Sequence, residues 1–161
     1  MSTIHGTCVA FGRAAVLIRG PSGAGKSSLA LRLIDGEGSG LGEKRLKARL
    51  VADDQVLLSV SGKRLGASPA PRLEGLIEVR GVGILRAKTR RRAHVRLVVD
   101  LMPAVSIQRL PEEHEGEIEI EGVTLPRIYV DATSPQAAAV LRAAVSRLGG
   151  KPRRVTRKPK V

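Results

Sequence analysis

The fold is decided by residues 14–27, which read AAVLIRGPSGAGKS. Residues 14–19 form an apolar run that predicts a buried strand, and residues 26–34 place their large apolar side chains on one face of a predicted helix. The glycine-rich segment between them, residues 20–27, fits the Walker A pattern and has the strand and the helix that such a loop requires. We therefore predict an α/β, P-loop domain in which the N-terminus of this helix faces a nucleoside triphosphate.

Phosphate binding gives a physical reason for this spacing. Glycines let backbone N–H groups approach phosphate oxygens without a Cβ clash, and the helix adds the partial positive charge of its N-terminus. Lys26 is predicted to reach the β- and γ-phosphates, and the Ser27 hydroxyl is predicted to bind Mg²⁺. The predicted nucleotide-binding residues are Gly20, Pro21, Ser22, Gly23, Ala24, Gly25, Lys26 and Ser27. The alternative, a glycine loop that precedes a helix by accident, is disfavoured by the elements on both sides.

The remaining sequence alternates short apolar runs with turn residues, which favours strands. Strands are predicted over residues 49–52, 56–60, 76–79, 94–101, 117–120 and 123–130, with turns at 61–63 and 121–122. A last helix is predicted to have Ser134 as its cap, Pro135 in its first turn, Val140 on its apolar stripe and Gly149 after its end. The fold class is therefore α/β with a mixed sheet that has more strands than an ordinary doubly wound nucleotide kinase.

Two adjacent carboxylates follow the second predicted strand. Asp53 and Asp54 occupy the place of a Walker B acid, and neighbouring side chains on an extended chain point in different directions. One of them could therefore serve the metal while the other takes the proton of the phosphoryl acceptor. A solvated turn is the alternative interpretation. Asp100, which also follows an apolar run, is the lesser candidate.

Two further segments carry groups suited to catalysis. His5 precedes Gly6 ahead of the predicted strand at 14–19, where a lone histidine is more often structural than catalytic. The segment EVRGVGI at residues 78–84 places an acid, a base and two glycines between a strand and a loop. A polar strand followed by a turn explains this segment as well as a functional role does.

Composition limits the classes of protein and of partner. The net charge is +13, and six of these charges belong to Lys151, Arg153, Arg154, Arg157, Lys158 and Lys160 in the tail at residues 150–161, which we expect to be disordered and solvated. Phe11 and Tyr129 are the only aromatics, so the stacking surface of a single-strand binder is missing and nucleic acid is not an expected partner. The single cysteine, Cys8, fits a reducing cytoplasm as a small buried hydrophobe. Neither a signal peptide nor a membrane span of roughly 18 apolar residues is recognisable, so no membrane association is expected.

Together these segments resemble one bacterial family, the HPr kinase/phosphorylases. His5-Gly6, the loop at 20–27, Asp53-Asp54 and the segment at 78–84 occur in the order found in that family, and 78–84 looks like its signature sequence. Many enzymes share the Walker loop, whereas the signature together with the Asp pair is far more specific. The resemblance extends over about residues 4–148. It implies an HPr kinase-like catalytic domain over residues 1–149 and the basic tail at 150–161.

The resemblance also implies an activity and a site. Family members are ATP- and Mg²⁺-dependent protein serine kinases that phosphorylate HPr, the small phosphocarrier of the sugar phosphotransferase system, and they assemble as hexamers, so a homo-oligomer is expected. Asp54 would accept the serine proton, and Asp53 would orient it or assist the metal. The implied catalytic residues are His5, Lys26, Asp53, Asp54 and Arg109, and the implied magnesium ligands are Ser27 and Glu78.

Some positions depart from the family pattern. The stretch at 130–135, VDATSP, corresponds to a loop linked to dephosphorylation but lacks that loop's lysine, glycine and arginine. We therefore expect kinase activity to exceed phosphorylase activity. The short form looks like the truncated alphaproteobacterial proteins, for which a regulatory role is expected rather than one in sugar uptake.

Two other functions are compatible with a Walker loop in a basic chain. A P-loop kinase of a small molecule would need a lid, and Arg90, Arg91 and Arg92 could supply one. A nucleotide-dependent nucleic-acid-binding protein would use the basic tail.

Overall fold

The structure, a computed structural model, describes residues 1–110 and 116–148. Within these ranges the chain forms eleven strands and two α-helices, α1 (Lys26–Asp35) and α2 (Ala137–Ser146). The strands are β1 (Ser2–His5), β2 (Thr7–Phe11), β3 (Ala14–Arg19), β4 (Ala48–Ala52), β5 (Gln55–Ser61), β6 (Arg64–Pro69), β7 (Leu76–Val79), β8 (Gly83–Arg86), β9 (Ala93–Leu101), β10 (Glu117–Ile120) and β11 (Val123–Val130). The predicted strand–loop–helix at residues 14–34 is therefore confirmed, as are the predicted strands.

One mixed sheet dominates the fold. Seven of its strands follow the order β1-β5-β6-β9-β3-β2-β4, and β11 pairs with β9 while it carries β10. The neighbours β3, β9 and β11 are parallel, and the other pairs are antiparallel. The short strands β7 and β8 form a separate hairpin. The structure therefore confirms the predicted fold class as an α/β fold with a large mixed sheet.

The two faces of the sheet bury two different aliphatic cores. Alternate strand residues point to opposite faces, so Val16 and Ile18 face the helices while Ala15 and Leu17 face the other way. Leu29 of α1 and Leu141 of α2 are fully buried in the first core. The second core is built from strand residues alone and contains Cys8. Burial raises the pKa of the Cys8 thiol to about 12, which agrees with its prediction as a buried hydrophobe.

Three sequence predictions of local structure are wrong. We expected His5 to lie before the first strand, at residues 14–19, but it is the last residue of an earlier strand, β1, which pairs with β5. Ser134 does not cap α2: the helix begins at Ala137, and the Ser134 hydroxyl accepts a bond from the Gln136 N–H (3.2 Å) in the turn before it. Val140 lies on the outer side of α2 and is 46% exposed. Gly149 and the tail at 150–161 lie outside the described residues, so the boundary at 149 stays a prediction.

A buried arginine joins the two helices. Arg142 of α2 is 6% exposed, and its guanidinium donates to the carbonyl oxygens of Leu33 (3.1 Å), Gly36 (2.8 Å) and Leu46 (3.3 Å). Carbonyls at the end of a helix have no partner within the helix. Arg142 therefore completes the C-terminus of α1 and fixes α2 against it. None of the helices in the described ranges is long and apolar enough to cross a membrane.

We predict that Arg142→Leu lowers the free energy of unfolding by roughly 2–4 kcal/mol, because one buried and two part-buried carbonyls lose a donor. Urea denaturation followed by circular dichroism measures this change. Arg147→Leu is the matched control, since Arg147 is exposed at the end of the same helix, and we expect a change within about 0.5 kcal/mol. Equal losses in the two variants would contradict the role of Arg142.

Candidate active site

A pocket of about 340 Å³ opens beyond the C-terminal end of β3. Four separate parts of the chain meet there: the β1–β2 link, the glycine-rich loop with the start of α1, the β4–β5 turn, and the end of β7 with the residue that follows it. The lining residues are His5, Thr7, Ser22, Gly23, Gly25, Lys26, Ser27, Ser28, Asp53, Asp54, Glu78 and Arg80. The fold thus brings together all the predicted catalytic and metal-binding residues except Arg109.

The glycine-rich loop needs its glycines for two reasons. Gly23 (φ 80°) and Gly25 (φ 96°) adopt left-handed backbone conformations, which side chains other than glycine's rarely tolerate. Gly25 also lies close to the neighbouring loop, because a Cβ on it would stand 3.1 Å from the Cβ of Ala132. The loop therefore turns tightly between β3 and α1 and presents the N-terminus of α1 to the pocket.

Lys26 is the first residue of α1 and is 7% exposed. Its Nζ donates to the carbonyl oxygens of Gly20 (2.8 Å) and Pro21 (3.0 Å). An ammonium group has three donors. Two of them hold the side chain over the loop, and one remains for an anion in the pocket.

The Asp53 carboxylate is the centre of the polar network. It is 6% exposed and accepts hydrogen bonds from the Thr7 hydroxyl (2.8 Å), the Ser27 hydroxyl (2.8 Å) and the backbone N–H of Glu78 (3.2 Å). Thr7 is fully buried. Three donors from three distant segments fix both carboxylate oxygens in place. Asp53 is therefore suited to orient the Ser27 hydroxyl.

Asp54 has different surroundings although it is the next residue. Its backbone is left-handed (φ 67°), its side chain is 64% exposed, and one carboxylate oxygen lies 3.2 Å from Nδ1 of His5. The backbone N–H of Gly6 donates to the Asp54 carbonyl (3.1 Å), which holds the β1–β2 link against the β4–β5 turn. The prediction that the two carboxylates point in different directions is confirmed. Asp54 is the one that can meet a molecule arriving from solvent.

Glu78 and Arg80 border the pocket from the β7–β8 hairpin. The backbone N–H of Glu78 is bound to Asp53, and the side chains of Glu78 and Arg80 are both exposed. Among the described residues, no group of three histidine, cysteine or acidic side chains is placed to hold a metal ion. A metal at this site would therefore depend on few protein ligands, with other oxygens completing its coordination.

Several candidates lie outside the pocket. Arg109 is exposed near the residues that the structure leaves undescribed at 111–115, so its role stays a prediction. Both oxygens of Asp100 accept bonds from Arg19 (2.8 Å each), which explains why this lesser candidate is not available to the site. The arginines at 90–92 do not line the pocket, which weighs against their use as a lid over it.

Three residues that line the pocket were not among the predicted site residues: Thr7, Ser28 and Arg80. Thr7 carries no motif of its own, and its function becomes visible only when β2 brings it beside Asp53. Arg80 was visible within the 78–84 segment, two residues from Glu78, and this alternation places both on the same side of an extended chain.

Comparison with known proteins identifies related sequences. A family model described as the HPr Serine kinase C-terminal domain matches residues 1–155. The "HPr kinase/phosphorylase" proteins of Burkholderia lata and Burkholderia cenocepacia are each 34% identical to this chain over 151 residues, which cover 87% of the chain and 43% of the relative. The chain thus spans less than half the length of these relatives.

A solved structure shares the fold. The "Hpr(Ser) kinase/phosphatase from Coxiella burnetii" superposes with a TM-score of 0.70, covering 90% of this chain and 94% of that one, at 23% sequence identity. The large mixed sheet and its helices are therefore an architecture already seen in a solved protein.

We predict a direct energetic coupling between Thr7 and Asp53, because their side chains share a buried hydrogen bond. A double-mutant cycle of Thr7→Val and Asp53→Ala, followed by urea denaturation, should give a coupling free energy of about 1 kcal/mol. The matched cycle pairs Thr7→Val with Asp54→Ala, which removes the neighbouring exposed carboxylate. We expect it to be additive within about 0.5 kcal/mol. The same coupling in both cycles would show that the Thr7 bond does not select Asp53.

Proposed function

Because this chain belongs to the HPr serine kinase C-terminal domain family, we propose that it transfers the γ-phosphoryl group of ATP to a serine hydroxyl of the phosphocarrier HPr. One observation carries the proposal: two adjacent carboxylates, Asp53 fixed on Ser27 and Asp54 paired with His5, face one pocket beside the glycine-rich loop. This divides the acidic groups into one suited to the metal side and one suited to the acceptor side of phosphoryl transfer.

The glycine-rich loop would act as a P-loop. Its left-handed glycines leave backbone N–H groups free of Cβ atoms on the pocket side, where phosphate oxygens can approach. Lys26 would add its remaining donor and its positive charge to the β- and γ-phosphates. The partial positive charge at the N-terminus of α1 acts in the same direction.

The residues present fit Mg²⁺. This ion binds proteins through one or two oxygen ligands while water and substrate phosphates fill its other positions. The Ser27 hydroxyl and the Glu78 carboxylate would hold the ion. Asp53 would keep the Ser27 hydroxyl oriented by accepting the hydrogen bond that this hydroxyl donates. When bound, the ion neutralises charge on the transferred phosphoryl group.

Asp54 would accept the proton of the attacking serine. A serine hydroxyl is a poor nucleophile unless a base takes its proton as the bond to phosphorus forms. Asp53 is fully engaged by three donors, whereas Asp54 is exposed and has only His5 close to its carboxylate. His5 would hold the Asp54 side chain in place, and Arg80 on the pocket wall would bind the phosphoryl oxygens or an acidic part of the acceptor.

Other parts of the proposal rest on the family alone. Arg109 would join the site as a further cation, and the chain would act in the cytoplasm as a homo-oligomer, a hexamer by family resemblance. We propose that kinase activity exceeds phosphorolysis, because residues 130–135 lack the lysine, glycine and arginine of the corresponding family loop. This loop lies close to the site, since Ala132 stands against Gly25.

We predict that the chain transfers label from γ-labelled ATP to purified HPr when Mg²⁺ is present, and that the label is found on serine. Lys26→Ala should abolish the transfer without unfolding the protein, because it removes the charge that binds the transferred phosphoryl group. Lys44→Ala, which alters an exposed lysine outside the pocket, should label HPr at the normal rate. The proposed function would be refuted if the folded protein left HPr unlabelled, or if Lys26→Ala labelled HPr at the normal rate.

A second prediction separates the roles of the carboxylates. Asp54→Asn keeps the size of the side chain but removes the base, so phosphoryl transfer should fall by roughly 10²-fold or more with little change in ATP affinity. Glu78→Gln should instead raise the Mg²⁺ concentration required for half-maximal rate, because a metal ligand is weakened. Titration of Mg²⁺ against both variants distinguishes them. Rescue of Asp54→Asn by excess Mg²⁺, without rescue of Glu78→Gln, would mean that the two assignments are reversed.

A further inference from the structure

The β11–α2 loop, residues 131–134, stands directly against the glycine-rich loop. A Cβ on Gly25 would lie 3.1 Å from the Cβ of Ala132, so the two loops are in close contact at this point. Gly25 is the residue that precedes α1, and its left-handed backbone (φ 96°) sets the direction in which the helix starts. The β11–α2 loop therefore forms a wall behind the turn that leads into Lys26.

Arg32 holds this wall in place from the last turn of α1. Its guanidinium donates through Nη1 to the carbonyl oxygen of Ser134 (3.1 Å) and through Nη2 to the carbonyl oxygen of Ala132. Among the described residues, Arg32 forms no ion pair with an acidic side chain. The planar guanidinium fork thus spans two carbonyls of one short loop, which fixes the loop more firmly than a single donor would.

Asp131 attaches the other side of the same loop. Its carboxylate accepts bonds from the backbone N–H (2.9 Å) and the hydroxyl (2.6 Å) of Thr133, which shape the turn. It also accepts a bond from the backbone N–H of Ala104 (3.1 Å), in the segment that follows β9. The β11–α2 loop is consequently attached on two sides, and only Arg32 attaches it to the helix that begins at the glycine-rich loop.

We propose that Arg32 is a positioning residue for the nucleotide: it holds the β11–α2 loop against Gly25 and so keeps the glycine-rich loop in the conformation that receives a triphosphate. Arg32 does not line the pocket, so it acts through Ala132 and Gly25 and does not touch the ligand. A loop that is ordered before binding loses less conformational freedom on binding, which raises affinity. The inference rests on the nucleotide-binding part of the proposed function.

A purely structural role is the alternative. The Ser134 carbonyl also accepts a bond from the backbone N–H of Ala137, the first residue of α2 (3.1 Å), so Arg32 contacts the segment from which α2 starts. Loss of that contact alone would lower the stability of the fold and leave nucleotide affinity unchanged. Arg142 offers the comparison, because its guanidinium also joins the two helices through carbonyls, and none of these carbonyls belongs to the glycine-rich loop or to the β11–α2 loop.

The test measures binding of the non-hydrolysable ATP analogue adenylyl imidodiphosphate, with Mg²⁺, to the full chain by isothermal titration calorimetry. Arg32→Gln should weaken binding by roughly fivefold or more, because both loops must then be ordered during binding. Arg32→Lys keeps the charge but cannot span both carbonyls, so it should also weaken binding by several-fold. Arg142→Lys, the matched control, should bind at the normal affinity. Thermal melting checks that every variant is folded at the temperature of the titration.

Hydrogen exchange followed by mass spectrometry gives a second measurement that needs no ligand. In Arg32→Lys, amides at residues 20–25 and 131–136 should exchange faster than in the unaltered chain, because both loops lose their common attachment. Amides of the β5–β6 hairpin, far along the chain from this contact, should exchange at the normal rate.

The affinities decide between the positioning role and the structural one. The proposal is supported if both Arg32 variants bind more weakly while Arg142→Lys binds normally. It is overturned if the Arg32 variants bind normally, if Arg32→Lys alone restores normal binding, or if Arg142→Lys weakens binding equally. The cause would then be, in turn, no positioning effect, the charge alone, or a general loosening of the helices, and the proposed kinase function would stand in each case. If the folded, unaltered chain bound no nucleotide, both the proposed function and this inference would be refuted.

Discussion

The buried carboxylate of Asp53 is the interaction on which the pocket depends. It receives donors from β2, from α1 and from β7, three elements that no continuous stretch of chain brings together. A buried carboxylate that loses a donor is costly, so the three segments are constrained to one another as well as to Asp53. The β7–β8 hairpin, which belongs to a separate small sheet, is tied to the pocket partly through this group. The orientation of the Ser27 hydroxyl and the position of Glu78 are therefore linked through one side chain.

The sequence was most informative where physical causes are local. An apolar strand, a glycine loop and an amphipathic helix are properties of neighbouring residues, so residues 14–34 could be predicted closely. The separation of Asp53 from Asp54 followed from the alternation of an extended chain. The strand ending at His5 was missed because it is four residues long and obtains its partner from β5, far along the chain. Thr7 was missed because its partner, Asp53, is 46 residues away along the chain. The place of Arg109 stays a prediction, because this residue borders the undescribed residues 111–115.

The charges of the molecule are distributed along the parallel strands. The acidic groups of the pocket gather beyond the carboxyl end of β3. A second cleft, at the amino end of β3, is lined by Arg13, Arg64 and Arg96 and by no acidic residue among those that the structure describes. Near the carboxyl ends of the parallel strands, Arg19 and Asp100 form an ion pair, so neither charge is available to the pocket. A net charge of +13 thus coexists with a pocket that gathers three carboxylates, those of Asp53, Asp54 and Glu78. Composition alone reveals the sum of the charges, and the register of the strands reveals their arrangement.

The pairing of β1 with β5 has a consequence for the order in which the molecule folds. His5 lies opposite Gln55, so closing this contact requires a loop of about fifty residues that includes β2, β3, α1 and β4. Contacts across such separations form slowly compared with hairpins such as β5–β6. The hairpin and the β2–β3 pair can assemble early, while the imidazole reaches Asp54 only after much of the sheet is in register. The side of the pocket formed by His5 and Asp54 is consequently completed late in folding, after the local contacts of the glycine-rich loop.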